Sequence, residues 1–278
     1  MLKRLMHTAL LLLLALAVAY GALVGFVWFN QDRLVYFPSS TLFQTPADWG
    51  VDYEDVWITT EDDVLLHGWF VPAETARGAV LYFHGNGGNM SDVLFDVVAA
   101  QQHSLHMFII DYRGYGLSEG TPSEAGLYRD AAAAWDYLTD SRGVPPDEII
   151  VMGQSLGGGV ATWLVQEHTP AGLVLMSTFT SVPDVGAQHY PFLPVRLLSH
   201  NHYPNRERLP EVQVPILISH ARDDEVIPFE HGQQLASLAP EGVTFLMLTG
   251  GHDRGLASLS EAHTAEVAAF LERALPPE

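Results

Sequence analysis

The chain contains no cysteine and a single lysine, Lys3. The first absence excludes disulfides, thiolate metal sites and a cysteine nucleophile. The second belongs to a general shortage of positive charge, with 13 basic residues against 33 acidic ones. From Asp32 onward all 33 acids face only 11 arginines, a formal charge of −22. Such a surface repels nucleic acid and anionic lipid headgroups, so no nucleic-acid partner is expected. Metal and nucleotide signatures are missing too. No H-E-x-x-H occurs, and His200 and His202 have no evident carboxylate partner nearby in sequence. The glycine-rich run His84-Gly85-Asn86-Gly87-Gly88-Asn89 has neither the lysine of a phosphate loop nor a G-x-G-x-x-G. Neither a cofactor nor a metal is expected.

Charge of either sign is absent from residues 5–29. At about 1.5 Å per helical residue this run can cross a hydrocarbon core of roughly 30 Å. Lys3 and Arg4 precede it, and Trp28 and Phe29 close it as an interfacial belt. The charge bias predicts a short cytoplasmic amino terminus, with everything after Asn30 on the non-cytoplasmic side, periplasmic in a bacterium. A cleaved signal peptide is the competing reading, with Ala17-Val18-Ala19 as its cleavage site. The apolar run continues to Phe29, well past that site, which favours an uncut anchor over residues 1–30 and a separate domain over 31–278.

Beyond the anchor, Tyr53–Thr59 and Val64–Val71 alternate as a hairpin turning at Glu61-Asp62-Asp63. From residue 79 strands and helices alternate. Strands are expected at Ala79–Phe83, Met107–Asp111, Ile149–Met152, Gly172–Met176, Pro215–His220 and Val243–Leu248. Helices are expected near Met90–Gln102, Ser123–Thr139, after Ser155, at Phe229–Leu238 and at Ser258–Leu275. This order predicts an α/β fold with right-handed crossovers, a mostly parallel doubly wound sheet and the hairpin as an antiparallel edge.

One stretch organises the chemistry. Ile149-Ile150-Val151-Met152 runs into Gly153-Gln154-Ser155-Leu156-Gly157, a G-x-S-x-G between a strand and a small-residue helix. That is the sequence form of a nucleophile elbow, which holds a serine in a strained turn at the strand's carboxyl end. Gly153 and Gly157 stand where a Cβ would clash, and Gly158, Gly159 and Ala161 are expected to let the helix lie close on the sheet.

A serine hydroxyl needs an imidazole to take its proton and a carboxylate to orient that imidazole. Two later loops can supply them: Ala221-Arg222-Asp223-Asp224-Glu225-Val226-Ile227-Pro228 and Thr249-Gly250-Gly251-His252-Asp253. His252, after two glycines at the end of the last strand, is the candidate base. Asp224, Asp223 and Glu225 compete as the acid, while Asp253 points away or caps the last helix. Two amides are needed for the oxyanion. Leu156 N–H opens the helix after the serine, and Asn86 N–H is the best placed in the loop after Ala79–Phe83. His84 reads as a structural histidine of that loop.

On these motifs the chain resembles the α/β-hydrolase superfamily, and within it the membrane-anchored abhydrolase-domain serine hydrolases of esterase or acyl-protein thioesterase type. The likeness runs through the anchor, Arg33-Leu34-Val35-Tyr36-Phe37-Pro38, H-G-N-G-G-N at 84–89 and D-Y-R-G-Y-G at 111–116. It continues through G-Q-S-L-G at 153–157, Phe179-Thr180-Ser181, D-E-V-I-P at 224–228 and G-G-H at 250–252. The resemblance implies Ser155 as nucleophile, His252 as base, and Asp224 as acid because it stands four residues before Pro228. It implies the amides of Asn86 and Leu156 as oxyanion hole, and Asp111 and Arg113 as structural members of their loop. His220-Ala221 departs from the usual His-Gly and is expected to touch a turn, not the triad.

Residues 179–210 interrupt the alternation with prolines and aromatics, where such enzymes carry a cap. Phe179, Tyr190 and Phe192 are candidate pocket residues, although aromatics there can equally pack the cap onto the body. So small a cap leaves the site open to a bulky or membrane-borne substrate. The expected activity is hydrolysis of a carboxylic ester or thioester, with a lipidic or lipidated substrate in view. A serine peptidase of the same fold and an inert membrane-tethered binding module are the alternatives. The second would be marked by loss of a triad or oxyanion position, and none is lost.

Overall fold

The computed structural model describes residues 1–254 and 259–275. It begins with helix α1 (Leu2–Phe29) and a short α2 (Gln31–Val35), followed by β1 (Phe37–Pro38) and the hairpin β2 (Glu54–Thr59) and β3 (Leu65–Val71). Next come β4 (Ala79–Phe83), β5 (Gly87–Gly88), α3 (Leu94–Gln102), β6 (His106–Ile110), α4 (Glu124–Asp136), β7 (Ile149–Gln154), α5 (Leu156–Glu167) and β8 (Gly172–Met176). A cap of three short helices, α6 (Val182–His189), α7 (Val195–Leu198) and α8 (Asn205–Arg208), interrupts the alternation. The chain resumes with β9 (Ile216–Ala221), α9 (Phe229–Leu238), β10 (Thr244–Leu248) and α10 (Glu261–Ala274).

Eight strands form one sheet in the order β10-β9-β8-β7-β4-β6-β3-β2. Strands β10 to β6 are parallel, while β3 runs antiparallel to β6 and β2 antiparallel to β3. The hairpin is therefore the antiparallel edge that its alternation predicts. Period-two geometry divides the core between the two faces. In β4, Ala79, Leu81 and Phe83 join a cluster with Leu127 and Ala131 of α4 and Val160 and Leu164 of α5. Val80 and Tyr82 point the other way, onto Val97 of α3 and Phe270 of α10. Both faces are covered, so the parallel strands read as unbroken apolar runs.

Local chemistry moves some boundaries. The segment expected as one helix from Met90 is a 3₁₀ turn, Met90–Asp92, followed by α3. Asn89 accepts from Ser91 N–H, and Asp92 reaches back to Asn89 N–H, closing a capping box that ends the first turn early. Ser123 caps α4 through Gly126 N–H, and a π turn at Tyr137–Ser141 takes the place of the expected last turn. Ser260 caps α10, and the expected helix start at Ser258 lies outside the described residues. Helix α1 has no buried residue; only Val24, Gly25 and Val27 of its apolar run are partly covered.

Candidate active site

Ser155 stands between β7 and α5 at φ 51°, ψ −116°, a region that side chains with a Cβ rarely adopt. It is held there from both sides. Its N–H donates to Met176 O at 2.9 Å, and its carbonyl accepts from Thr178 Oγ1 at 2.7 Å. The turn closes only because its neighbours are glycine. A Cβ on Gly153 would stand 2.7 Å from Gly158 N, and one on Gly157 would stand 2.7 Å from His84 O and 2.5 Å from Phe83 C. The later glycines serve the loops above the sheet. A Cβ on Gly158 would meet the Thr178 side chain, and one on Gly159 would come within 2.7 Å of the Tyr203 ring of the cap.

The structure brings the serine, the histidine and one of the three acids together. His252 Nε2 lies 3.1 Å from Ser155 Oγ, and His252 Nδ1 lies 2.8 Å from Asp224 Oδ2. All three residues are buried. Asp223 and Glu225 are exposed, and Asp223 Oδ1 accepts from Gly250 N–H at 2.8 Å, which ties the acid loop to the histidine loop. Asp253 is exposed beside the histidine, and Ser260 supplies the cap of α10.

Four donors surround the Asp224 carboxylate. Val226 N–H and Ile227 N–H donate to Oδ1 at 2.9 and 2.8 Å, and His252 and His220 reach Oδ2, the latter at 3.3 Å. Burial pushes this carboxyl up, but the hydrogen bonds from His220 and His252 and the backbone of Ile227 outweigh it. Its pKa is held below the usual carboxylate range. His220 therefore contacts the acid, while Ala221, the residue that departs from the usual glycine, is the last of β9 and not part of a turn. His220 Nε2 also lies 2.8 Å from Ile227 O, so it ties the acid loop to β9. The sequence signal was a histidine four residues before an aspartate at a strand end.

The loop after β4 lies against the serine. A Cβ on Gly85 would be 3.6 Å from Ser155 Cβ. Asn86 follows, with its carbonyl accepting from Phe37 N–H and Tyr115 Oη and its side-chain amide donating to Val35 O at 2.7 Å. Its own N–H has no partner among the described residues. Leu156 is the first residue of α5, where a helix leaves amides unsatisfied and presents its positive dipole end. His84 is buried under this loop, its Nδ1 2.7 Å from Gly85 O and its Nε2 3.4 Å from Asp111 Oδ1. Arg113 donates to Asp130 at 2.9 Å and to both oxygens of Asp62, fastening its loop to α4 and to the hairpin turn.

One contributor carried no role in the sequence reading. Residues 31–41 lace α1 to this loop. Strand β1 pairs in parallel with β5, Phe37 against Gly87 and Pro38 against Gly88, and Asn89 Nδ2 donates to Ser39 O and Thr41 O. The motif Arg33–Pro38 was visible, but its partner lies some fifty residues away.

The three aromatics expected to line a pocket do not share one environment. Phe179 belongs to the main core and packs near Tyr203, at 6.5 Å between ring centroids, whereas Tyr190 and Phe192 are exposed on the cap. A cavity of about 240 Å³ lies elsewhere, lined by Val80, His103, Ile150, Val174, Leu217 and Phe270, and shares no lining residue with the Ser155 site. Among the described residues no cluster of three or more His, Asp or Glu side chains forms a metal site.

Comparison with known proteins places the fold. The family model described as serine aminopeptidase, S33, matches residues 74–206. An uncharacterized protein of Mycobacterium tuberculosis is 39% identical over 241 residues, covering 85% of each chain. The alpha/beta hydrolase domain-containing protein WAV2 of Arabidopsis thaliana is 33% identical over 232 residues, covering 75% of each. Among solved structures, the Pyrococcus furiosus esterase Pf2001 superposes with a TM-score of 0.71 at 22% identity, over 87% of this chain and 98% of that one, a likeness of fold. With this sheet order, this strand-to-helix serine turn and relatives of that identity and coverage, the chain belongs to the α/β-hydrolase superfamily.

Proposed function

We propose that this hydrolase is a serine hydrolase of carboxylic esters or thioesters, working through an acyl-enzyme. The observation that carries the reading is the unbroken hydrogen-bonded row Asp224–His252–Ser155, ending on a serine held at positive φ. In the acylation step Ser155 Oγ attacks the carbonyl carbon while His252 Nε2 takes the hydroxyl proton. Asp224, kept ionised by its donors, holds Nδ1–H and stabilises the imidazolium. The carbonyl oxygen becomes an oxyanion facing the amides of Asn86 and Leu156. As the bond to the alcohol or thiol breaks, His252 returns the proton to the leaving group. Water then enters by the same path, frees the carboxylic acid and restores Ser155. No step calls for a cofactor or a metal.

The full reading is a catalytic domain over residues 31–278 behind an uncut, single-pass anchor, with the domain on the non-cytoplasmic side. The length and exposure of α1 support the anchor. A second reading, peptide hydrolysis, is favoured by the description of the matching family model. Burst kinetics separate the two. Full-length protein in detergent should release a stoichiometric burst of p-nitrophenol from esters, with an acyl-length optimum, and Ser155→Ala should show none. Turnover of aminoacyl amides with no ester burst would favour the peptidase, and silence on both from folded protein would sink the hydrolase mechanism.

A further inference from the structure

We propose that cap residues 187–200 form a second membrane contact, set into the bilayer surface beside α1, so that acyl substrates reach Ser155 from the lipid side. The contact rests on α1 being a retained span, and the substrate route rests on the serine-hydrolase reading.

The first observation is depth. The Tyr20 hydroxyl donates to Phe192 O at 2.8 Å, and Trp28 packs edge-on against His200 at 4.9 Å between centroids. The cap thus follows α1 back from Trp28 to Tyr20, about 12 Å of helix. Val24, Gly25 and Val27, partly covered on an otherwise exposed helix, lie along this stretch. The apolar run 5–29 is about 38 Å long, against a hydrocarbon core of roughly 30 Å. With Lys3 and Arg4 at one headgroup layer, the core takes up residues 5 to about 24, and Tyr20 lies about 6 Å inside the opposite boundary. Shifting α1 to raise Tyr20 out of the core draws both cations away from the headgroup layer that Lys and Arg near a helix end seek. Shifting it the other way buries Tyr20 further. The Phe192 carbonyl is therefore at acyl depth, where it needs a donor, and the Tyr20 hydroxyl is that donor.

The second observation is composition. In a chain with 33 acidic residues, none falls between Asp184 and Glu207. The two arginines of that interval, Arg196 and Arg206, both pair with Asp184, at 3.0 and 3.2 Å. The surface it presents is instead apolar, with Leu197 88% exposed, Phe192 60% and Tyr190 54%. Aromatic and aliphatic side chains without acids are the surface that an interfacial segment offers to lipid.

The third observation is rigidity toward both the span and the site. Gln31 Nε2 donates to Leu198 O, His200 N–H donates to Gln31 Oε1, each at 2.7 Å, and Asn201 Nδ2 donates to Asp32 Oδ1 at 2.9 Å. At the other end His189 Nε2 lies 2.9 Å from Val226 O, and Val226 N–H donates to Asp224. The lipid-facing tip is thus two hydrogen bonds from the catalytic acid.

The cysteine-free chain suits a depth measurement. Phe192→Cys, Leu197→Cys and, at the opposite end of the sheet, Asp147→Cys are each labelled with one fluorophore in the full chain, reconstituted in phosphatidylcholine vesicles. Nitroxide lipids should quench the labels at 192 and 197 at least about two-fold more than the label at 147, and aqueous iodide should show the reverse order. Iodide quenching at 192 and 197 equal to that at 147 would overturn the contact. For the route, Leu197→Asp should lower the ratio of turnover on a long-chain ester dissolved in the vesicle to turnover on a short water-soluble ester about ten-fold. An unchanged ratio would overturn the route. Silence of the wild type on both esters would remove the hydrolase reading and the route with it, and quenching would still decide the contact.

Discussion

Gly157→Ala should separate the two halves of the proposed oxyanion site. The new Cβ would stand 2.5 Å from Phe83 C and 2.7 Å from His84 O, both backbone atoms of the sheet and its exit loop. No side chain can turn away to relieve these contacts. Phe83 O lies closer still, and ordinary contact begins near 3.4 Å, so α5 must withdraw from β4 by more than about 1 Å, an overpacking cost of roughly 3 kcal/mol. Leu156 N–H moves with α5, while Gly85 and Asn86 stay with β4. A displacement of about 1 Å between reacting groups costs on the order of 10²-fold in rate, so kcat should fall about that far. Gly143→Ala is the control. Its φ of +68° carries a left-handed strain cost, but nothing lies within 4 Å of the added Cβ. It should lose about 1–2 kcal/mol of stability and none of its kcat. Urea denaturation and p-nitrophenyl ester kinetics on both variants read the two effects separately. Full kcat in Gly157→Ala, or an equal loss in Gly143→Ala, would refute the packing argument.

Three further outcomes follow from the same geometry. Asp224→Asn should cut kcat about 10⁴-fold by holding the imidazole in the wrong tautomer and removing the charge that stabilises the imidazolium. The native Asp224 pKa lies below its unfolded value, so the stabilisation it gives is complete above about pH 4 and is lost as pH falls through the native value; the variant's urea midpoint should change less with acidification. Arg113→Ala leaves the Asp130 side chain, fully buried, without its ion pair and should cost about 3–5 kcal/mol in chemical denaturation. Removing residues 1–29 should leave kcat on a soluble ester within about two-fold, whereas removing 1–40 also takes away the Val35 and Phe37 contacts of Asn86 and should cost at least about ten-fold, chiefly in kcat.

Elements whose signal is local were legible in the sequence. β4 and β8 are short apolar runs bounded by turns, and α9 follows Pro228 with clear periodicity. The elbow was legible because G-x-S-x-G is a local pattern, with Gly153 demanded by backbone contacts within five residues, whereas the demand for Gly157 comes from Phe83 and His84, far away in sequence. Less visible was whatever depends on distant partners. Nothing near Phe37 announces a parallel bridge to Gly87, and nothing near Tyr36 announces its bonds to Asn201 and Tyr203. The choice of Asp224 over Asp223 needed a family pattern, because adjacent aspartates in one loop differ only in which way the turn aims them. Phe179 illustrates the converse, an aromatic in the cap stretch that the core absorbs.

The central claim is that Ser155 Oγ carries the acyl group. Full-length protein mixed with a p-nitrophenyl ester, quenched in acid within the burst and digested, should give a peptide containing Ser155 heavier by one acyl group less a proton. Ser155→Ala should give no adduct on any residue. An acyl group found elsewhere, or steady ester turnover by folded Ser155→Ala at the wild-type rate, would contradict the account.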